Sequence, residues 1–170
     1  MKSNPESPIF GVTETDTVML DFDDVTFKTA RYWARRAMNW FKLGGFLILK
    51  SSERCYHVVF NRMVDWTENM SIVAWVARKR GSNNPGLQEW HRLQCIKVGS
   101  TLRFTSKGDK LGPRIVYREG EEDDRIGDFL RFRRQIKRIM QRVNERTKNK
   151  PGSLEYAPSQ QSTSEDTDSP

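Results

Sequence analysis

Three short segments of this 170-residue chain share a pattern that few folds accommodate. In residues 17–23 (TVMLDFD), Val18, Leu20 and Phe22 alternate with Asp21 and Asp23. In residues 55–61 (CYHVVFN), Tyr56, Val58 and Phe60 alternate with Cys55, His57, Val59 and Asn61. In residues 101–107 (TLRFTSK), Leu102 and Phe104 alternate with Thr101, Arg103, Thr105 and Lys107. A strand sends successive side chains to opposite faces, so each segment reads as a strand with one apolar and one polar face. Such strands call for a sheet covered on one side and open on the other.

The intervening residues supply the cover. Ala30, Trp33, Ala34, Ala37, Met38 and Phe41 recur at helical spacing, with Asp24 or Thr26 available as a cap and Gly44-Gly45 as a stop. Asp24 fits a cap better than a ligand. Residues 46–50 read as a buried strand, joined by the polar turn 51–54 to residues 55–61 in a hairpin. A second helix starts near Asp65, with Glu68 spaced for a capping box and Trp66, Met70, Val73, Ala74 and Ala77 on its buried face. Residues 87–96 suit a shorter helix, and 114–118 a last strand after the loop 108–113. The predicted order, β-α-β-β-α-(α)-β-β, is α+β: an RRM-like split βαβ antiparallel sheet with helices on one face. In that plan the first and third strands sit together at the centre, with the fourth beside the first. Asp21, Asp23, His57, Arg103 and Lys107 then converge on the open face.

Charge divides the rest of the chain. The net charge is +7, and residues 125–150 hold ten Lys or Arg against Asp128 and Glu145, a local +8. Residues 151–170 hold four acids and no base, with almost nothing to bury. The expected organisation is a polar N-terminal arm (1–16), a core domain (17–120), a basic amphipathic helix (121–150) and a disordered acidic tail (151–170). The basic helix would bury Ile126, Phe129, Leu130, Ile136, Ile139, Met140 and Val143. It would expose Arg134, Lys137, Arg138, Arg142 and Arg146 to nucleic-acid phosphates. Lys28, Arg31, Arg35 and Lys42 form a second basic stripe on the first helix.

Two cysteines, Cys55 and Cys95, support neither a disulfide framework nor a cysteine zinc site. No apolar run approaches the roughly 18 residues of a membrane span, so a cytoplasmic protein is expected. Serine-hydrolase GxSxG and Walker A motifs are absent, and the histidines and tyrosines do not have rolling-circle nuclease spacing.

Two carboxylates two residues apart on a strand project side by side, the arrangement that holds Mg²⁺ or Mn²⁺ while a substrate phosphate completes the shell. Asp21 and Asp23 have that spacing. Arg103 and Lys107 can neutralise triphosphate oxygens, and His57 can hydrogen-bond a phosphate between the acids and the bases. The reaction class is phosphoryl or nucleotidyl transfer.

These residues resemble a known family. Leu20-Asp21-Phe22-Asp23 resembles the first motif of the archaeo-eukaryotic primase superfamily, and 55–60 (CYHVVF) is similar to its second, in which a small residue precedes a strand histidine. Residues 102–110 (LRFTSKGDK) are similar to the basic strand and loop after its third. The resemblance covers residues 17–118 and implies an RRM-like catalytic core. By it, Asp21 and Asp23 are metal ligands, His57 contacts the incoming nucleotide, and Arg103 with Lys107 or Lys110 contacts phosphates. The implied activity is a primase-polymerase making a primer or strand on a single-stranded template from nucleoside triphosphates, alongside a helicase or another replication protein. The family's third acid has no counterpart in residues 93–101, and Glu89, in a predicted helix, is the nearest candidate. The alternative is therefore a catalytically degenerate, nucleic-acid-binding module of the same fold.

Overall fold

The computed structural model describes residues 9–78, 85–107 and 112–148. It divides into two compact units, one extending to Lys137 and the other beginning at Arg138.

The first unit is α+β. Strand β2 (Thr17–Phe22) leads into helix α1 (Phe27–Phe41), and β3 (Gly45–Ser52) and β4 (Cys55–Met63) form a hairpin. Helices α2 (Trp66–Arg78) and α3 (Pro85–Lys97) follow, and then β5 (Ser100–Arg103), β6 (Arg114–Gly120) and α4 (Arg125–Lys148), of which the residues up to Lys137 belong to this unit. The main sheet is antiparallel in the order β2-β4-β3-β6. The first and third strands of the predicted plan are thus neighbours, with Asp21 opposite His57 in register.

Local sequence explains the helix ends. Thr26, not Asp24, caps α1, its hydroxyl accepting from the Thr29 amide at 3.1 Å. At the other end Lys42 turns left-handed at φ 57°, and the Leu43 amide donates to the Met38 carbonyl. Asp65 accepts the Glu68 amide at 2.7 Å, one half of a capping box. The Glu68 carboxylate turns away to Arg62. Gly45 and Gly120 let β3 and β6 close together: a Cβ on Gly45 would lie 2.1 Å from the Glu121 carbonyl oxygen, and Gly120 has φ +80°.

Alternation sets two cores. Val18, Leu20, Phe22, Tyr56, Val58 and Phe60 face α1, α2 and α3, around Trp33, Ala37, Val73 and Leu87. The opposite face is only partly polar, because Met19, Leu47, Leu49 and Val59 also lie on it. This apolar half must be covered, and the cover corrects the prediction of an open face. Val12, Leu102, Phe104, Ile126 and Phe129 pack over it. Accordingly β5 does not join the main sheet beside β2 or form a hairpin with β6. It pairs with β1 (Gly11–Glu14), a strand inside the expected N-terminal arm, while β6 pairs with β3. Residues 11–14 are too short and polar to signal a strand by themselves.

Asn61 of β4 anchors this cover. Its Oδ1 accepts from the amides of Asp124 (3.1 Å) and Ile126 (3.3 Å), and its Nδ2 donates to Asp123 at 3.0 Å. The first amides of a helix lack partners within it, so Asn61 satisfies the start of α4 from a neighbouring strand.

In the second unit the described part of α4 exposes Arg138 and Arg142 as expected. Ile139 and Val143, expected to be buried, are 46% and 42% exposed. The tail, 151–170, lies outside the described residues. No helix among the described residues is long and apolar enough to cross a membrane.

Candidate nucleotide and metal site

A cleft of about 470 Å³ brings together Asp21 and Asp23 from β2 and its end, His57 from β4, Arg103 from β5, and Lys107. Five residues separated by up to 86 positions in sequence thus line one space. Alternation places Asp21 and His57 on one face of the main sheet, whereas Arg103 and Lys107 arrive from the β1–β5 ribbon and the residues after it, not from a strand beside β2. Lys110 lies outside the described residues. Glu89, the candidate third acid, does not line the cleft; it is exposed on α3 and pairs with Arg92 at 3.4 Å. A helical repeat carries it away from the face that presents Trp90, Leu93, Gln94 and Lys97 to the cleft. Among the described residues no group of three or more His, Cys, Asp or Glu converges to hold a metal ion. Two carboxylates with open space beside them still suit an octahedral cation that keeps waters and binds substrate phosphates.

His57 is 4% exposed and its Nε2 lies 3.4 Å from Asp21 Oδ1. Burial, and then the positive charges of Arg103 and Arg133, push its pKa down to about 3, so its imidazole is neutral. Burial also pushes Asp21 up to about 7, with Asp23 raising it further and Arg103 opposing. The pair is therefore not a salt bridge at neutral pH, despite the short distance. The Asp23 charge disfavours ionisation of Asp21, and a cation beside Asp21 would favour it.

Arg103 is held in place by main-chain carbonyls: it donates to Thr105 O at 2.7 Å and Ser51 O at 3.0 Å. Ser51, Ser52, Gln94 and Lys97 also line the cleft, and none was singled out from the sequence. The Ser51-Ser52 pair does have a local signal, since it ends the strand that turns back into the histidine strand. Lys97 has none, because only the packing of α3 brings it here.

Asp24 lies apart from this chemistry. At φ 53° it accepts from Arg54 Nε at 2.6 Å and fixes the β3–β4 turn against the start of α1. The α1 stripe is also partly committed. Arg35 forms a two-pronged pair with Glu119, each contact 2.7 Å, and the Arg31 guanidinium lies 4.3 Å above the Tyr117 ring. These two arginines tie α1 to β6. Arg134 and Lys137, in the first unit, are exposed on α4.

No family model, curated protein or solved structure matches this chain. The functional reading rests on the geometry.

Proposed function

We propose that this protein is a primase-polymerase-like nucleotidyltransferase that extends or primes a strand on a single-stranded template. The observation that carries the reading is the shared cleft of Asp21, Asp23, His57, Arg103 and Lys107. Two acids and two bases lining one cleft match the needs of a metal-bound triphosphate. The likeness of 20–23, 55–60 and 102–110 to the motifs of the archaeo-eukaryotic primase superfamily supports the same assignment.

Each side chain has a role that follows from its surroundings. Asp21 and Asp23 would hold Mg²⁺ or Mn²⁺. That cation, when bound, would supply charge neutralisation for the attacking and leaving oxygens. Arg103, oriented by the Ser51 and Thr105 carbonyls, presents a fixed positive charge to phosphate oxygens. Lys107 and Lys97 add positive charge at the cleft wall. Neutral His57 can donate one hydrogen bond to a phosphate without itself ionising, given its depressed pKa. The exposed Arg134, Lys137, Arg138 and Arg142 serve the template backbone.

One observation favours a second reading. The described residues bring no third carboxylate to the cleft. A degenerate module of this fold would keep nucleic-acid binding and lose synthesis. The deciding experiment is incorporation of labelled nucleotide on a primed or unprimed single-stranded template with Mg²⁺ or Mn²⁺. Incorporation that is abolished by Asp21→Ala with Asp23→Ala establishes the transferase. Binding of the strand with no incorporation under either metal establishes the binding module.

A further inference from the structure

A second groove of about 370 Å³ runs between β6 and the part of α4 that belongs to the first unit. Arg114 and Arg118 come from β6, Arg133, Arg134 and Lys137 from α4, and Ile115 with Leu130 gives it an apolar portion. No acid lines it. Glu122 does reach Arg118 to form an ion pair, so the cations are only partly balanced.

Arg133 has the most unusual position of the five. It is 8% exposed, and one guanidinium nitrogen donates to the Pro113 carbonyl. Its Nη1 is buried with no hydrogen-bond partner among the described residues. Leaving a buried donor of a charged group unsatisfied costs about 1–3 kcal/mol or more. The same burial, with Arg118 nearby, holds the Arg133 pKa below its ordinary value. An anion in the groove that Arg133 lines would favour its charged form and so offset the cost of burying that charge.

We propose that this groove is an anion subsite that seats the phosphodiester backbone of a single-stranded nucleic acid, with Arg133 as its buried anchor. Guanidinium forks match phosphate oxygens, and cations on two banks of an open groove suit a chain of phosphates. Ile115 and Leu130 offer apolar contact to sugars or bases. Free triphosphate has the same chemistry, but this groove shares no lining residue with the cleft of Asp21 and Asp23. A nucleotide held here would be parted from the acids proposed to handle it, so the polymer is the better occupant. The proposal rests on the nucleic-acid part of the functional reading and not on the metal site.

The test is fluorescence anisotropy of the full chain with a labelled oligothymidylate of about 20 nucleotides, long enough to exceed a typical single-strand site. Arg114→Glu and Arg134→Glu change exposed residues, so they test the groove without disturbing the core. Each is expected to weaken binding about tenfold near 0.1 M salt and to lower the log–log salt slope by about 0.7 per lost phosphate contact. Arg133→Met is expected to weaken binding by a similar factor, with its melting temperature measured alongside. Arg92→Glu, an equal charge change on exposed α3 outside the groove, is expected to change affinity less than about twofold if the contact is local. Equal losses for Arg92→Glu and the groove variants would overturn the proposal, as would wild-type affinity in both groove variants. Binding of tripolyphosphate but not of the oligonucleotide would overturn the polymer assignment. A wild type that binds no strand overturns it also. Groove-dependent binding without nucleotide incorporation leaves the subsite standing while the transferase reading falls.

Discussion

Replacing Asp21 by asparagine keeps the shape and removes the charge, so it isolates what that charge costs the fold. The Asp21 pKa is pushed from 3.8 to about 7, chiefly by burial. Its folded form therefore holds a proton that its unfolded form has lost between those values, and the wild type loses stability as pH rises through this window. A shift of about three units corresponds to about 4 kcal/mol at most. The side chain is 24% exposed, and solvent screening brings the expected cost to about 2–3 kcal/mol above pH 7. Asp21→Asn should accordingly be more stable than wild type by that amount at pH 8, a rise in melting temperature of roughly 5–10 °C. The difference should shrink with falling pH and vanish near pH 4, where both chains are neutral at this position. His57 explains why wild type alone would hide the effect. Its pKa is lowered from 6.5 to about 3, so its contribution is fully present above 6.5 and is lost as pH falls toward 3. Over the window common to both residues the two slopes oppose and nearly cancel. Thermal melts of both proteins in buffers from pH 4 to 8, without divalent metal, make the measurement. A stability difference that does not vary with pH, or an asparagine variant less stable at pH 8, would refute the reasoning.

Three further outcomes follow from the same structure. Saturating Mn²⁺ or Mg²⁺ at pH 8 should raise the wild-type melting temperature, by about 2.7 kcal/mol of stabilisation at a hundredfold excess over Kd, and should leave Asp21→Asn with Asp23→Asn unchanged; equal shifts in both would place the cation elsewhere. Asn61→Ala strands the amides of Asp124 and Ile126 and should cost about 2–4 kcal/mol in urea unfolding; a loss below about 0.5 kcal/mol would show that water replaces the side chain. Charge reversal at Arg134, Arg138 and Arg142 together should lower strand affinity steeply and flatten its salt dependence, while Asp21→Ala with Asp23→Ala should bind as well as wild type or slightly better; anisotropy titrations from about 0.05 to 0.2 M salt distinguish these outcomes.

The Asp21–His57 part of the candidate cleft is legible in the sequence because it depends on strand alternation, a local property. Once residues 17–22 and 55–61 are antiparallel neighbours with their apolar positions buried together, the pleat puts Asp21 and His57 on the same face. Arg103 and Lys107 come to the cleft by another route, because β5 ends at Arg103 and pairs with β1 outside the main sheet. The helix faces of α1 and α2 were legible for the same kind of reason, through the recurrence of Ala30, Trp33 and Ala37 and of Met70, Val73 and Ala77.

What tertiary structure decided was which elements cover which surfaces. Nothing local to Met19, Leu47, Leu49 and Val59 says that a ribbon of β1 and β5 and the start of α4 will bury them, because that choice compares all the ways of removing their apolar area from water. The same long-range choice took β5 out of the main sheet and brought Lys97 to the cleft. It also left Glu89 outside and buried Arg133 in a groove whose other bank, β6, lies 13 or more residues away along the chain. Periodicity reports the direction of a side chain relative to its own backbone. Its partners across the fold are set by packing and burial summed over the whole unit.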